Sequence, residues 1–120
     1  MTIFGGVGAS LVVSAASGGK VYANNSISTT PQQVIAGNPS RTQITFHNPG
    51  TVDVFIAPTT VLNASGASAA LNPNTTLLGG CFRVFANGGT LVVSGECQGA
   101  WQAFSATGLT NSLTIMDTNL

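Results

Sequence analysis

The sequence predicts an all-β protein: a single antiparallel β-sandwich or jelly-roll-like domain with an extended N-terminal arm. Apolar and polar residues alternate with a period of two along most of the chain, as in strands with one buried face. Fifteen glycines and five prolines punctuate these segments at fairly regular spacing, and no stretch has the pattern of an amphipathic helix. A length of 120 residues is that of one ordinary domain with a real core.

The alternating segments predict nine short strands. In chain order these are Ser10–Ala15, Gln33–Ala36, Thr42–Asn48, Val52–Ala57, Thr76–Leu78, Phe82–Ala86, Thr90–Ser94, Ala100–Ser105 and Ser112–Asp117. The turn signals between them are Gly18-Gly19, Asn38-Pro39, Asn48-Pro49-Gly50, Asn72-Pro73-Asn74, Asn87-Gly88-Gly89 and Thr107-Gly108. Short strands bounded by such turns are typical of sandwiches and jelly rolls.

Two of the turns predict hairpins. Asn48-Pro49-Gly50 joins two alternating segments, and Asn87-Gly88-Gly89 joins another two. In the first hairpin Ile44 and Phe46 are expected to face the core. The facing layer is expected to come from Val54 with Ile56 or Val52.

Residues 1–30 are predicted to form an N-terminal arm with the first strand, and residues 31–120 the sandwich domain. The arm region is rich in Gly, Ala, Ser and Asn, with Ile3, Phe4 and Val7 as isolated apolar anchors. Such a segment gains order by packing against something else. We therefore expect these three residues to contact a partner.

Charged residues make up only 5% of the chain. They are Lys20, Arg41, Asp53, Arg83, Glu96 and Asp117. Soluble domains usually carry about a quarter charged residues, so a neutral, association-prone surface is expected. Three scattered basic residues do not neutralise a phosphate backbone, and no apolar run reaches membrane-spanning length. We therefore expect protein partners, and neither nucleic acid nor a membrane.

Arg41, His47 and Asp53 are the most plausible polar cluster. His47 is the only histidine, so any histidine-dependent acid–base mechanism must use it. The sequence contains no GxSxG elbow, no paired carboxylates and no HExxH motif. We expect the three residues to form a polar clasp on the outer face of the hairpin, and the chain to be no enzyme. A small hydrolase using His47 is the alternative.

The two cysteines, Cys81 and Cys97, are too few for a structural zinc site. They fall almost opposite each other beyond the ends of the second predicted hairpin. They are therefore either buried thiols or a cross-strand disulfide. We expect neither a metal nor a cofactor.

The aromatic residues divide into two groups by phase. Phe46, Phe82 and Phe104 fit core positions. The other group lies on the opposite phase, and its members are Phe55, Phe85 and Trp101. Either both faces of their strands are buried, or one face lies against a partner that these three residues contact. Exposed aromatic rings on a strand also stack against sugars, which keeps a glycan-binding function open.

A recognisable sequence pattern extends from Arg41 to Ile56. It consists of the segment Arg41–Asn48, the turn Pro49-Gly50-Thr51 and the segment Val52–Ile56. It resembles the pattern R-x-x-L-x-I-x-N, turn, polar residue, V/I-x-I-G of small tailed-bacteriophage head decoration (capsid cement) proteins. Asn72 through Gly80 is similar to the glycine-bounded segment that follows in that family. The resemblance covers roughly residues 30–117, and Ala57-Pro58 replaces the usual glycine.

This resemblance implies a structural virion protein on the outer capsid surface, assembled in the host cytoplasm. Its partner would be the major capsid protein, with self-association into dimers or trimers making attachment multivalent. It would cross-bridge coat subunits and stabilise the head, and with so few charges its attachment would depend weakly on salt. The alternative is a receptor- or glycan-binding β-module of a phage tail or head fibre.

Overall fold

A computed structural model describes residues 18–62, 65–66 and 80–119, which form eight strands and no helix. The strands are β1 (Gly18–Ile27), β2 (Gln32–Ile35), β3 (Arg41–Asn48), β4 (Val54–Pro58), β5 (Phe82–Val84), β6 (Gly89–Ser94), β7 (Trp101–Ser105) and β8 (Asn111–Asn119). The all-β sandwich prediction is confirmed. Across these described residues, a helix able to span a membrane is absent.

The strands form two antiparallel four-stranded sheets. The first sheet has the order β1-β8-β3-β6 and the second the order β2-β7-β4-β5. The first four strands pair in reverse order with the last four: β1 with β8, β2 with β7, β3 with β6, and β4 with β5. The chain is thus one long folded hairpin, rolled so that β8 also meets β3 and β7 meets β4. This is the connectivity of a jelly roll.

Both predicted hairpins are wrong, although their turns are in the right places. β3 and β4 belong to different sheets, as do β5 and β6. Both edges of β3 are occupied by β6 and β8, so no edge remains for β4. The two turns instead form neighbouring corners, where Asn87 N–H donates to the Gly50 carbonyl (2.7 Å) and Gly88 N–H to the Asn48 carbonyl (2.8 Å).

The ten-residue strand β1 lies within the segment predicted as an arm. It pairs with β8 from Gly18 to Ile27, so the sandwich includes residues well before position 31. Its sequence, GGKVYANNSI, has few strand-favouring residues, and Ile27 is the one buried side chain in its described part. Backbone pairing, rather than propensity or burial, therefore accounts for β1. The predicted strands Ser10–Ala15 and Thr76–Leu78 lie outside the described residues.

The core fills the space between the sheets. Its largest apolar members are Ile27, Ile35, Ile44, Phe46, Val54, Ile56, Val84, Trp101, Leu113 and Ile115. The predictions for Ile44, Phe46, Val54 and Ile56 are confirmed. Phe82 is not a core residue, because it begins a three-residue edge strand and remains 50% exposed.

Candidate functional site

The three residues of the predicted polar clasp do not come together. Arg41 pairs with Asp117 at one end of the sandwich. His47 Nδ1 lies 3.0 Å from the hydroxyl oxygen of Thr90 on the outer face of the first sheet. Asp53 lies in the loop before β4 and pairs with Arg83. The clasp prediction is therefore wrong, since it depended on β3 and β4 being hydrogen-bonded neighbours.

Arg41 is the centre of a buried polar network. Its Nε donates to Asp117 Oδ1 at 2.8 Å, and the two side chains are 1% and 4% exposed. Nη1 donates to the carbonyls of Cys97 (2.8 Å) and Gly99 (2.9 Å), and Nη2 to that of Ala36 (2.8 Å). The guanidinium thus connects β8 to two loops, which is a structural arrangement.

A bulge explains why Arg41 points inward when alternation placed it outside. Arg41 pairs with Asn119 and Gln43 with Thr118, so Thr42 is an extra residue on β3. This one-residue shift moves Arg41 onto the face that carries Ile44. Nothing in the local pattern of the sequence marks the bulge.

A cavity of about 280 Å³ lies beside this network. Its lining consists of Tyr22, Val34, Ile35, Ala36, Gly37, Asn38, Arg41 and Asp117. The charged groups in it already bind each other, and Asn38 Nδ2 donates to the carboxylate of Asp117 (3.3 Å) and to Asn119 Oδ1 (2.6 Å). The chemistry of the cavity is therefore that of a satisfied structural network.

The cysteines are not joined to each other. Cys97 is buried, and its Sγ lies 3.8 Å from the carbonyl oxygen of Arg41. Burial raises the pKa of the Cys81 thiol, although a backbone hydrogen bond acts in the lowering direction. A nucleophilic cysteine needs the opposite shift. In the described part of the chain, no three His, Cys, Asp or Glu side chains are grouped so as to hold a metal ion.

Trp101 is a core residue and not an exposed aromatic. It is 3% exposed, its ring centroid lies 5.3 Å from that of Phe46, and Nε1 donates to the Cys97 carbonyl at 3.3 Å. The phase of β7 was assigned from Phe104, which was expected in the core. Phe104 lies on the other face of the second sheet, stacked on Phe55 at 5.4 Å, so both faces of β7 are buried.

The predicted partner residues Phe55 and Phe85 do lie close together, with Arg83 between them. The Arg83 guanidinium carbon is 5.7 Å from the ring centroid of Phe55 and 5.0 Å from that of Phe85. Arg83 also binds the Asp53 carboxylate through Nε (3.0 Å) and Nη2 (2.8 Å). We call Phe55, Arg83 and Phe85 the aromatic cluster. The other predicted contacts, Ile3, Phe4 and Val7, lie outside the described residues.

The most extensive candidate surface is the outer face of the first sheet. Its central row is apolar except for Thr45, and Val21, Met116 and Val92 are 68%, 42% and 53% exposed. The residues of its three rows, from β1 to β6, are Gly19, Thr118, Gln43 and Ser94, then Val21, Met116, Thr45 and Val92, then Ala23, Thr114, His47 and Thr90. We call these rows the neutral face.

None of these side chains carries a formal charge, and His47 is the one titratable group among them. Asp117 lies on β8 between two of the rows but points inward, to Arg41. An apolar centre with a polar rim and few charges is the composition of a protein–protein contact. Sequence reasoning missed Val21 and Met116. The signal for Met116 was an apolar residue on the outward phase of a strand whose inward phase fills the core. β1 has one buried side chain in its described part, so Val21 had no such signal.

No family model, curated protein or solved structure matches this chain. The fold is therefore described by its own strand pairing. The neutral face and the aromatic cluster are the observations that bear on function.

Proposed function

We propose that this chain is a structural virion protein that binds the outer surface of a bacteriophage capsid and cross-bridges coat subunits to stabilise the head. The neutral face is the observation that carries the proposal, because it offers a contact surface of twelve residues without a formal charge. Two further points support it. The double-sheet jelly roll is an architecture that viral capsid proteins use, and the run from Arg41 to Ile56 resembles head decoration proteins.

The size of the neutral face indicates how attachment would work. The patch spans four strands spaced about 4.8 Å apart, and each strand contributes three outward-facing residues. It is therefore roughly 20 Å on a side. A specific interface of standard size needs about 800 Å² from each partner, which is more than this patch supplies. We therefore propose that attachment is multivalent, with the arm residues Ile3, Phe4 and Val7 and a second copy of the chain adding contacts.

The proposed role needs no catalysis, cofactor or metal. Its partners are the major capsid protein and further copies of the chain. Because the neutral face has no formal charges, its contacts are screened little by ions. Binding to particles is therefore expected to persist at moderate salt.

Thr45→Asp tests the neutral face. Thr45 lies in the central row, so this substitution places a carboxylate where a partner would cover it. An unpaired charge buried in an interface costs about 2–5 kcal/mol, which corresponds to at least a 30-fold loss of affinity. We expect that loss in a titration of undecorated capsids with the purified variant, followed by co-sedimentation.

Thr59→Asp is the matched control, since Thr59 is exposed beyond the end of β4 and away from the neutral face. It should bind capsids as the unmodified chain does. Equal binding by both variants, with both folded, would contradict the proposal that the neutral face is the contact.

The glycan-binding alternative now depends on the aromatic cluster, because Trp101 is buried. Phe85 is its most exposed ring. Phe85→Ala should leave capsid binding unchanged if the neutral face is the contact. It should abolish binding to a glycan or receptor if the alternative is correct.

A further inference from the structure

Strand β6 forms one edge of the first sheet. It pairs with β3 alone among the described strands, in an unbroken register from Asn48 opposite Gly89 to Gln43 opposite Ser94. Its sequence, GTLVVS, has no charge and no proline. An edge of this kind presents a regular row of backbone donors and acceptors to an incoming strand.

The other three edges carry features that hinder strand addition. β1 has a register shift between Asn24 and Ile27 and carries Lys20. β2 has four residues and a register shift between Gln33 and Ile35. β5 has three residues and carries Arg83. Short length, bulges and charges are the devices that protect sheet edges. β6 is six residues long, longer than β2 and β5, and it has neither a bulge nor a charge.

The side chains of β6 are also incompletely covered. Val92 is 53% exposed on the neutral face. Leu91 and Val93, on the opposite face, pack against the core but remain only partly buried. A strand added beside β6 would cover apolar surface on both faces of the sheet.

We propose that a second copy of this chain pairs its β6 antiparallel with this one, about a two-fold axis at Val92. Opposite residues in an antiparallel pair point to the same face, so a symmetric pairing must be centred on a residue and not between two. Centring on Val92 sets Leu91 against Val93 and Thr90 against Ser94. Centring one residue later would bring Glu96 into the ladder, and one residue earlier would set Gly89 against Val93.

A second copy suits this edge because the pairing is self-complementary and places no charges opposite each other. It joins two first sheets into one of eight strands, and the two neutral faces become continuous. The biological meaning of the larger face rests on the proposed function. The pairing itself is a property of the isolated chain. One six-residue ladder makes a small interface, so the dimer should be reversible and concentration-dependent.

Sedimentation velocity of the full chain over a range of concentrations tests the pairing. We expect a monomer–dimer equilibrium, and a dissociation constant at least 10-fold higher for Val92→Lys, because the two lysines would lie opposite each other. Val92→Glu should behave in the same way. A mixture of the two variants should recover the dimer, since residue 92 of one copy faces residue 92 of the other.

Val21→Lys and Met116→Lys are the matched controls, because both residues lie in the same row as Val92 but away from the β6 edge. Both variants should dimerise normally. Thr90→Lys combined with Ser94→Lys provides a second test if the Val92 variants do not fold. Residues 90 and 94 are opposite each other in the proposed ladder, so the paired lysines should weaken the dimer.

A monomeric unmodified chain would overturn the inference. So would a dimer that Val92→Lys leaves intact, or one that Met116→Lys disrupts as strongly, since that result would indicate packing of the neutral faces. The two proposals fail separately. A monomer that still binds capsids would overturn the β6 pairing alone, and a dimer that binds no capsid would overturn the proposed function alone.

Discussion

Replacing Arg41 with methionine is expected to destabilise the domain by about 3–5 kcal/mol, because removing one partner of a buried ion pair leaves the other without its counter-charge. Asp117 is 4% exposed and would keep its carboxylate in the interior. The carbonyls of Cys97, Gly99 and Ala36 would each lose a charged donor. Urea unfolding followed by circular dichroism measures the change.

Two variants make this result specific. Arg41→Met combined with Asp117→Leu should recover part of the loss, since no buried charge then remains. Arg83→Met removes the arginine of the exposed pair with Asp53 and should cost about 0–1 kcal/mol. An Arg41→Met protein as stable as the unmodified chain would show that the Arg41 network does not hold this end of the sandwich together.

Trp101→Ala is expected to cost about 3–5 kcal/mol, the usual range for removing a large buried aromatic side chain. The indole packs on Phe46 and donates to the Cys97 carbonyl, so the substitution leaves a cavity and an acceptor without its donor. Trp101 is the only tryptophan in the chain. Its fluorescence should therefore be blue-shifted in the native protein and shift to the red at the same urea concentration as the loss of circular dichroism.

Phe85→Ala is the control for this substitution, because Phe85 is 60% exposed and its removal leaves no internal cavity. Its effect on stability should stay within about 1 kcal/mol. A Trp101→Ala protein of unchanged stability that has lost binding to a partner would instead identify Trp101 as a surface contact. That result would favour the glycan-binding alternative and place its contact at Trp101.

The local pattern of the sequence predicted the strands well where one face is buried and the other is not. The alternation in Arg41–Asn48 placed Ile44 and Phe46 in the core, where the structure has them. β7 differs, because Phe104 and Ala103 are buried on opposite faces. Alternation carries no phase information in such a strand, and for this reason the sequence could not decide whether Trp101 lies in the core or against a partner.

The pairing of the strands was not predictable from the turns. In a jelly roll the partner of each strand lies at the other end of the folded hairpin, so β1 pairs with β8 across most of the chain. A turn signal fixes where the chain changes direction and says nothing about whether it stays in one sheet. The inward orientation of Arg41 was equally hidden, since it depends on a bulge opposite Thr118.

The composition of the chain predicted the neutral face only in part. The scarcity of charge predicted an uncharged surface, but it did not say where that surface would be. The register of β1, β8, β3 and β6 places Val21, Met116, Thr45 and Val92 in one row. These four residues are far apart in the sequence, and they form a row only once the sheet has formed.

The most direct test of the proposed role is to image intact bacteriophage particles prepared with this chain and to count and locate its copies. Many copies distributed over the whole shell, each with its neutral face against the coat, are the expected result. Copies confined to one vertex or to a tail or fibre would contradict capsid decoration, as would their absence from purified particles.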